Sequence, residues 1–384
     1  MKTTCPYCGV GCGVEAKREG ESWRVSGDSD HPANAGRLCV KGAALAETLT
    51  PSGRLLWPLV AGRRVPWERA LDEVAQRLRA IIAQHGPDAV AFYASGQLLT
   101  EDYYVANKLM KGFIGSGNID TNSRLCMASA VSGYKRALGA DAVPCCYDDF
   151  DRADLIVLMG SNAAWTHPVA FQRLVQAKRL NPALRVVVID PRRSASCDLA
   201  DLHLPLTPGS DGALCNGLLR WLEVHGGGDK SMLPHLAQVE ETLAAAAPWT
   251  PERVAAACQL PLAQIEQFYR LFADSERTLT LWCMGINQSA SGSDKCHAIL
   301  NAPLYSGNIG KPGCGPFSLT GPPNAMGGRE VGGLANQLAA HMDFTPENVD
   351  RLRRFWRSDR VATAPGLKAV DLFQAIGRDE VKAV

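Results

Sequence analysis

Four cysteines near the start of the chain have the type and spacing to hold a metal group. They run Cys5-x2-Cys8-x3-Cys12, with Cys39 following after 26 more residues. Short spacings let one loop wrap a metal and turn several thiolates inward. Pro6, Gly9, Gly11 and Gly13 suit the tight turns this needs and let backbone N–H groups approach sulfur. By spacing alone, an iron–sulfur cluster and a four-thiolate zinc site both stay open. Zinc ribbons pair two CxxC knuckles, whereas here the second half is a lone cysteine, which favours iron–sulfur. A disulfide pair is a remote third option.

A fifth cysteine sits in a different setting, Asn122-Ser-Arg-Leu-Cys126-Met-Ala-Ser-Ala130. The pattern predicts a helix beginning at Cys126, and a thiol at a helix N-terminus is expected to have a lowered pKa that favours thiolate. Small residues at 128–130 would let a large ligand sit close. Taken alone, Cys126 still reads as a core cysteine. The rest of the thirteen cysteines, such as Cys215, Cys258 and Cys283, are mostly scattered in apolar contexts. They read as small buried hydrophobes of a reducing compartment. A third stretch, Gly313 to Gly333, carries seven glycines and three prolines around Arg329. So much backbone freedom in a polar loop suits close approach to a ligand.

The elements that must position these groups follow from periodicity. Residues 1–50 hold the cysteines and a hairpin, with VEAKR and WRVSG flanking the turn EGES. Trp67, Leu71, Val74, Leu78 and Ile81 recur at helical spacing between Pro66 and Gly86-Pro87. Ala89 to Ala94 reads as a buried strand, followed by a helix through Tyr103, Tyr104, Asn107 and Lys108. DLIVLM (154–159), a helix over Pro168 to Leu180 and RVVVI (185–189) form a βαβ unit. A third strand spans Leu279 to Cys283. In such parallel sheets ligands bind at the carboxyl ends of the strands, where the loops Gly160–Asn162 and Asp190–Arg193 fall. The expected fold class is α/β, with a small N-terminal iron–sulfur domain and α/β domains built on parallel sheets. The expected division is 1–57, then 58–140 plus 310–384, then a Rossmann-like unit at 141–309. The closing AVDLFQAIGRDEVKAV reads as a helix, a turn and the first residues of another strand, so a truncated chain is expected.

The 384 residues are 46% hydrophobic and 21% charged, with formal net charge +1. That balance excludes a general attraction to nucleic acid or anionic membrane. No apolar run reaches the roughly 18 residues needed to cross a bilayer. The start, MKTTCPYCGV, has neither an apolar targeting core nor twin arginines, so a cytoplasmic location is expected. No GxGxxG fingerprint followed by an acidic residue is present, so no NAD site is read.

CPYCGVGCG followed by GRLCVKG resembles the N-terminal cluster segment of the prokaryotic molybdopterin oxidoreductases, a family that includes assimilatory and periplasmic nitrate reductases and molybdenum formate dehydrogenases. The resemblance continues to about residue 345. It implies a [4Fe-4S] cluster on Cys5, Cys8, Cys12 and Cys39, and molybdenum held by Cys126 and two molybdopterin guanine dinucleotides. Lys41 would lie between cluster and pterin and assist electron transfer. Contacts to the dinucleotides would fall on Gln97, Asn122, Gly160, Ser161, Asn162, Asp190, Arg192, Gly209, Asp211, Met284, Gly285 and Gln288.

The Gly313–Gly333 stretch resembles the nitrate reductases, and Arg329 is the candidate to bind nitrate, since a planar guanidinium matches a planar oxyanion. A structural pair between Arg329 and Glu330 is the alternative. Formate dehydrogenases typically follow the metal-binding residue with histidine; here Met127 stands there, and methionine cannot relay a proton. The resemblance therefore implies a cytoplasmic assimilatory nitrate reductase. It would reduce nitrate by oxygen-atom transfer, with electrons from a flavoprotein, ferredoxin or flavodoxin. A formate dehydrogenase-like oxidoreductase and an inactive cluster-binding fragment are the alternatives, since the family's chains are longer and end in a domain that closes over the dinucleotides.

Overall fold

A computed structural model describes all of residues 1–384. The N-terminal unit is a three-stranded antiparallel sheet of β1 (Lys2–Thr4), β2 (Gly13–Glu19) and β3 (Ser22–Gly27), in that order. The expected hairpin is β2–β3, closed by Glu19 opposite Ser22. A short hairpin, β4 (Leu59–Val60) with β5 (Arg63–Arg64), leads into the helix Trp67–His85. That helix has the expected bounds but buries no residue fully. Leu78 and Ile81 pack inward, while Trp67, Leu71 and Val74 on the same stripe stay more than half exposed. The strand expected at 89–94 is shorter: β6 (Phe92–Ala94) pairs in parallel with β7 (Ile119–Thr121). Ahead of it Pro87–Ala89 form one 3-10 turn, because Pro87 sets the φ of a helical start.

The main sheet holds β8 (Leu155–Met159), β9 (Arg185–Ile189), β10 (Leu202–Leu204), β11 (Thr278–Trp282) and β12 (Gly315–Ser318), ordered β10-β9-β8-β11-β12 and all parallel. The β-branched runs suit strands covered on both faces, and alternate residues face two separate cores. Leu155, Val157 and Met159 face one core; Ile156 and Leu158 face the other. The second core also takes in Cys5, Val10, Cys12 and Val14, so the cysteine-bearing unit is seated on the sheet's helix layer. Strand β12 lies beyond residue 309, so the sheet draws on chain assigned from sequence to the discontinuous unit. Ala383 forms a parallel bridge with Val90, so the closing residues return to the edge of β6.

Chain order reverses between β8 and β11, the position at which doubly wound sheets open a crevice. The turns leaving these two strands touch there. The N–H of Gly285 donates to the Gly160 carbonyl at 3.0 Å. A Cβ on Gly160 would stand 2.9 Å from the Gly285 backbone, and Gly160 has φ +52°, so glycine is required on two counts.

Candidate functional site

Cys5, Cys8 and Cys12 lie on the loop between β1 and β2, closed by the Cys5 N–H on the Cys12 carbonyl at 2.8 Å. Cys39 returns on a loop fixed by a residue the sequence reading passed over. The buried Asn34 side chain accepts the Gly13 N–H at 2.8 Å and donates to the Gly13 carbonyl at 3.0 Å and the Arg37 carbonyl at 2.8 Å. It therefore clips the approach to Cys39 against the turn after Cys12. Its signal in the sequence was weak: an Asn within a polar, glycine-bearing turn.

The four thiols share one environment. Burial pushes up the pKa values of Cys5 and Cys8, and that of Cys12 to about 12, and each of the three is raised further by neighbouring thiols of the set. Backbone N–H groups of Tyr7 and Val10 are aimed at Cys5 and Cys8, and Lys41 favours their charged forms. Four thiolates this close, two of them buried, require a multivalent positive partner. No three His, Cys, Asp or Glu side chains converge tightly enough for a single ion, as a tetrahedral zinc with bonds of about 2.3 Å would demand. The donor set fits a larger, sulfur-bound group.

Lys41 is exposed, its ammonium 5.8 Å from the Tyr7 ring centroid. It lies beside both the thiols and the buried His167, whose Nε2 is 2.6 Å from the Thr320 carbonyl oxygen. Gln97 donates to the Pro6 carbonyl at 2.9 Å, and Asn122 accepts the Gly96 N–H at 2.8 Å. Gln97 therefore stands at the edge of the thiol loop, and Asn122 holds the residue before it.

Cys126 is half-buried, and the helix expected to start at it begins instead at Ala128, after a 3-10 turn over Asn122–Leu125. The expected lowering of its pKa is reversed: burial raises it, although the Gly321 N–H and the Arg329 charge pull it down. Cys126 lies two residues ahead of the helix, outside its first turn, and desolvation wins. Met284 Sδ lies 3.7 Å from its sulfur.

Next to it, the fully buried Met127 sulfur receives the Thr320 hydroxyl and an Arg329 Nη1 contact at 3.1 Å. Arg329 is itself buried and forked onto Asp141, with Nε–Oδ2 2.6 Å and Nη2–Oδ1 3.4 Å. The alternative pairing with Glu330 is not what forms, because Glu330 bonds His341 at 2.7 Å. Sequence alone held no signal for Asp141, which lies 188 residues away.

Two polar cavities flank this centre. One, of about 360 Å³, opens at the carboxyl ends of β8, β9 and β11. It gathers Gly160, Ser161 and Asn162 from the first turn and Asp190 with Arg192 from the second. Gly209 with Asp211 and Met284 with Gly285 complete it. Ser161 Oγ is buried there without a partner, and Asp211 is held by the buried Lys295 at 2.7 Å. An orphaned hydroxyl among glycine turns fits phosphate or another polar ligand arm. Gln288 lies elsewhere; it donates to the Leu125 carbonyl at 2.8 Å, beside Cys126. The other cavity, of about 530 Å³, is lined by Ser123 and Arg124 on one side of Cys126 and Ala128 on the other. Lys135, Arg136, Arg329 and Lys368 make it cationic, with Asp141 as its one carboxylate.

Comparison with known proteins follows the same division. The profile for the molybdopterin oxidoreductase Fe4S4 domain matches residues 1–50, and that for molybdopterin oxidoreductase matches 54–384. Over 384 residues the chain is 63% identical to a nitrate reductase of Klebsiella oxytoca, covering 100% of this chain and 44% of that protein. It is 46% identical to a nitrate reductase of Shewanella frigidimarina, over 100% of this chain and 42% of that one. A periplasmic nitrate reductase of Desulfovibrio desulfuricans is 38% identical, at 100% and 54% coverage. The acetylene hydratase from Pelobacter acetylenicus shares the fold, with a TM-score of 0.72 at 22% identity over 80% of this chain and 43% of that one. The chain thus spans about half, or less, of the length of these relatives. No helix is long and apolar enough to cross a membrane.

Proposed function

The chain belongs to the molybdopterin oxidoreductase family, with the molybdopterin and 4Fe-4S cofactors of its two domains, and on that premise we propose that it forms the cluster-binding and metal-thiolate part of a nitrate reductase. The observation that carries this reading is that the segment bearing Cys126 lines a cation-rich cavity through Ser123, Arg124 and Ala128, while Gly321 links the Cys126 sulfur to the cluster loop. The relatives named nitrate reductase support the choice of anion. In this reading Cys5, Cys8, Cys12 and Cys39 hold the [4Fe-4S] cluster, and Cys126 is the thiolate ligand of molybdenum carried by two molybdopterin guanine dinucleotides. When bound, these groups supply one-electron delivery and two-electron oxygen-atom transfer, converting nitrate, two protons and two electrons to nitrite and water.

The chain's own residues do the rest. Lys41 places positive charge between the thiol quartet and the β8–β11 crevice. The loops at Gly160–Asn162, Asp190–Arg192, Gly209–Asp211 and Met284–Gly285 cradle one dinucleotide, and Gln97, Asn122 and Gln288 fix the loops around the pterin. Arg329, oriented by Asp141, directs positive charge to where nitrate would sit, and Lys135 and Lys368 draw the anion in. Met127 cannot take up a proton, which suits an oxygen transfer better than formate oxidation. The physiological donor in this reading is a flavoprotein, ferredoxin or flavodoxin, and the role is cytoplasmic and assimilatory; the cysteines outside the proposed metal sites, none of them in a disulfide, suit a reducing compartment.

Iron and molybdenum quantification on anaerobically purified protein tests the reading, together with assays of nitrate against reduced viologen and formate against oxidised viologen. Nitrate turnover with both metals supports it. Formate turnover alone would move the chain to the dehydrogenase branch, and iron without molybdenum would leave only a cluster carrier.

A further inference from the structure

Lys111 is fully buried, on the π-helical stretch Lys108–Ile114 that continues the helix Thr100–Asn107, and the reaction scheme makes no use of it. Its ammonium donates to the carbonyls of Gly332 at 2.6 Å, Leu334 at 3.0 Å and Gln337, so all three of its N–H groups end on one segment. One turn earlier, the buried Asn107 donates to the carbonyls of Val331 at 2.9 Å and Leu338 at 3.0 Å. The segment 331–338 contains neither helix nor strand, so its inward carbonyls have no backbone ladder to pair with.

A second buried ion grips the same segment from the other side. Asp120, also fully buried, accepts the Ala335 N–H at 3.3 Å and the Arg124 Nε at 3.1 Å. Arg124 in turn bonds Asn336 Oδ1 at 2.6 Å. Leu334, Asn336 and Gln337 of this segment form one wall of the cation-lined cavity, facing Arg124 and Arg329. Burying a lysine is costly, and aliphatic residues would fill the space more cheaply. What an aliphatic side chain could not do is pin three carbonyls at once.

We propose that Lys111 is a positioning residue, which sets the 331–338 wall of the anion cavity and thereby the affinity for the anion that enters it. The second half of this statement rests on the nitrate reading; the first does not. A role in overall stability alone would spread its effect through the fold, whereas a positioning role confines it to this segment.

Amide hydrogen exchange on the 384-residue chain separates the two. With Lys111→Met, exchange at 331–338 is expected to rise by about tenfold or more, as loss of charged hydrogen bonds implies, while β8, β9 and β11 keep their protection. Lys111→Arg, which keeps charge and donors, is expected to retain part of that protection and serves should the Met variant fail to fold. In the cofactor-loaded protein, Lys111→Met is expected to raise KM for nitrate several-fold and leave kcat nearly unchanged. Exchange that rises throughout the chain, exchange at 331–338 that does not change, an Arg variant as loose as the Met variant, or a KM that stays put despite a loosened wall each overturns the proposal. A wild-type protein that turns over no nitrate would sink the nitrate reading and leave the exchange result to decide the role of Lys111.

Discussion

The N–H of Gly9, next to Cys8, donates to the carbonyl of Gly321 at 2.8 Å, and the N–H of Gly321 is aimed at the sulfur of Cys126. A single residue thus joins the thiol loop to the proposed metal thiolate.

Gly9 has no room to change. A Cβ at Gly9 would stand 1.9 Å from the Thr320 carbonyl oxygen, and backbone cannot step aside as a side-chain tip can. Gly9→Ala is expected to cost about 1–3 kcal/mol and to lower iron content as the loop is pushed off its seat. Thermal melting and iron analysis check this; an alanine variant with wild-type iron and Tm would show that the contact is slack.

Asn34 is the clip on the return loop. Asn34→Ala removes three hydrogen bonds and leaves the buried Gly13 N–H unsatisfied, while the Gly13 carbonyl keeps the Asp28 N–H, at about 1–3 kcal/mol for the orphan. The expected outcome is a chain that folds its main sheet but holds substoichiometric iron. Circular dichroism with iron quantification reads both.

The Asp141–Arg329 pair is buried on both sides. Asp141→Ala leaves an uncompensated guanidinium, a loss of about 3–5 kcal/mol. Replacing both residues together, by Met and Leu, is expected to recover much of the stability and none of the nitrate activity. Chemical denaturation midpoints beside nitrate turnover separate the structural part from the functional one.

Alkaline pH is expected to probe the buried thiols that bind nothing. Burial pushes the Cys296 thiol to about 12, above the ordinary value of 9.0. Between those values the unfolded chain has released a proton that the folded chain keeps, so the thiol's contribution to stability falls as pH rises through that window. Other buried groups respond differently: burial pulls the Lys111 pKa down while Asp120 raises it, so the parent's whole pH profile does not isolate the thiol. The measurement is therefore a difference: Tm of Cys296→Val minus Tm of the parent, expected to grow from pH 9 upward. A constant difference would mean that the thiol titrates normally.

Much of the fold was legible because its signals are local. The helix over Pro168–Leu180 and the strand over Arg185–Ile189 have the bounds that periodicity gave. So do the strand ends whose loops gather at the crevice, since that geometry follows from sheet order alone. Other parts were not legible. The pKa of Cys126 was read from a helix dipole, but burial by residues distant in sequence outweighs it, even against the lowering pull of the Gly321 N–H and the Arg329 charge. Arg329 looked free in sequence and is held by Asp141, a partner without local signature. The stripe through Trp67, Leu71 and Val74 has the periodicity of a buried face and is exposed, because amphipathic spacing fixes a helix but not what covers it.

The reversal of strand order between β8 and β11 also sets a timetable. As the ribosome releases the chain, β8, β9 and β10 can assemble early, but the free edge of β8 must wait for residues 278–282 to arrive before it is paired. Until then the Gly160 turn has no Gly285 to lean on, and the crevice does not exist. Any cofactor that lodges there can be installed only once synthesis has passed β11.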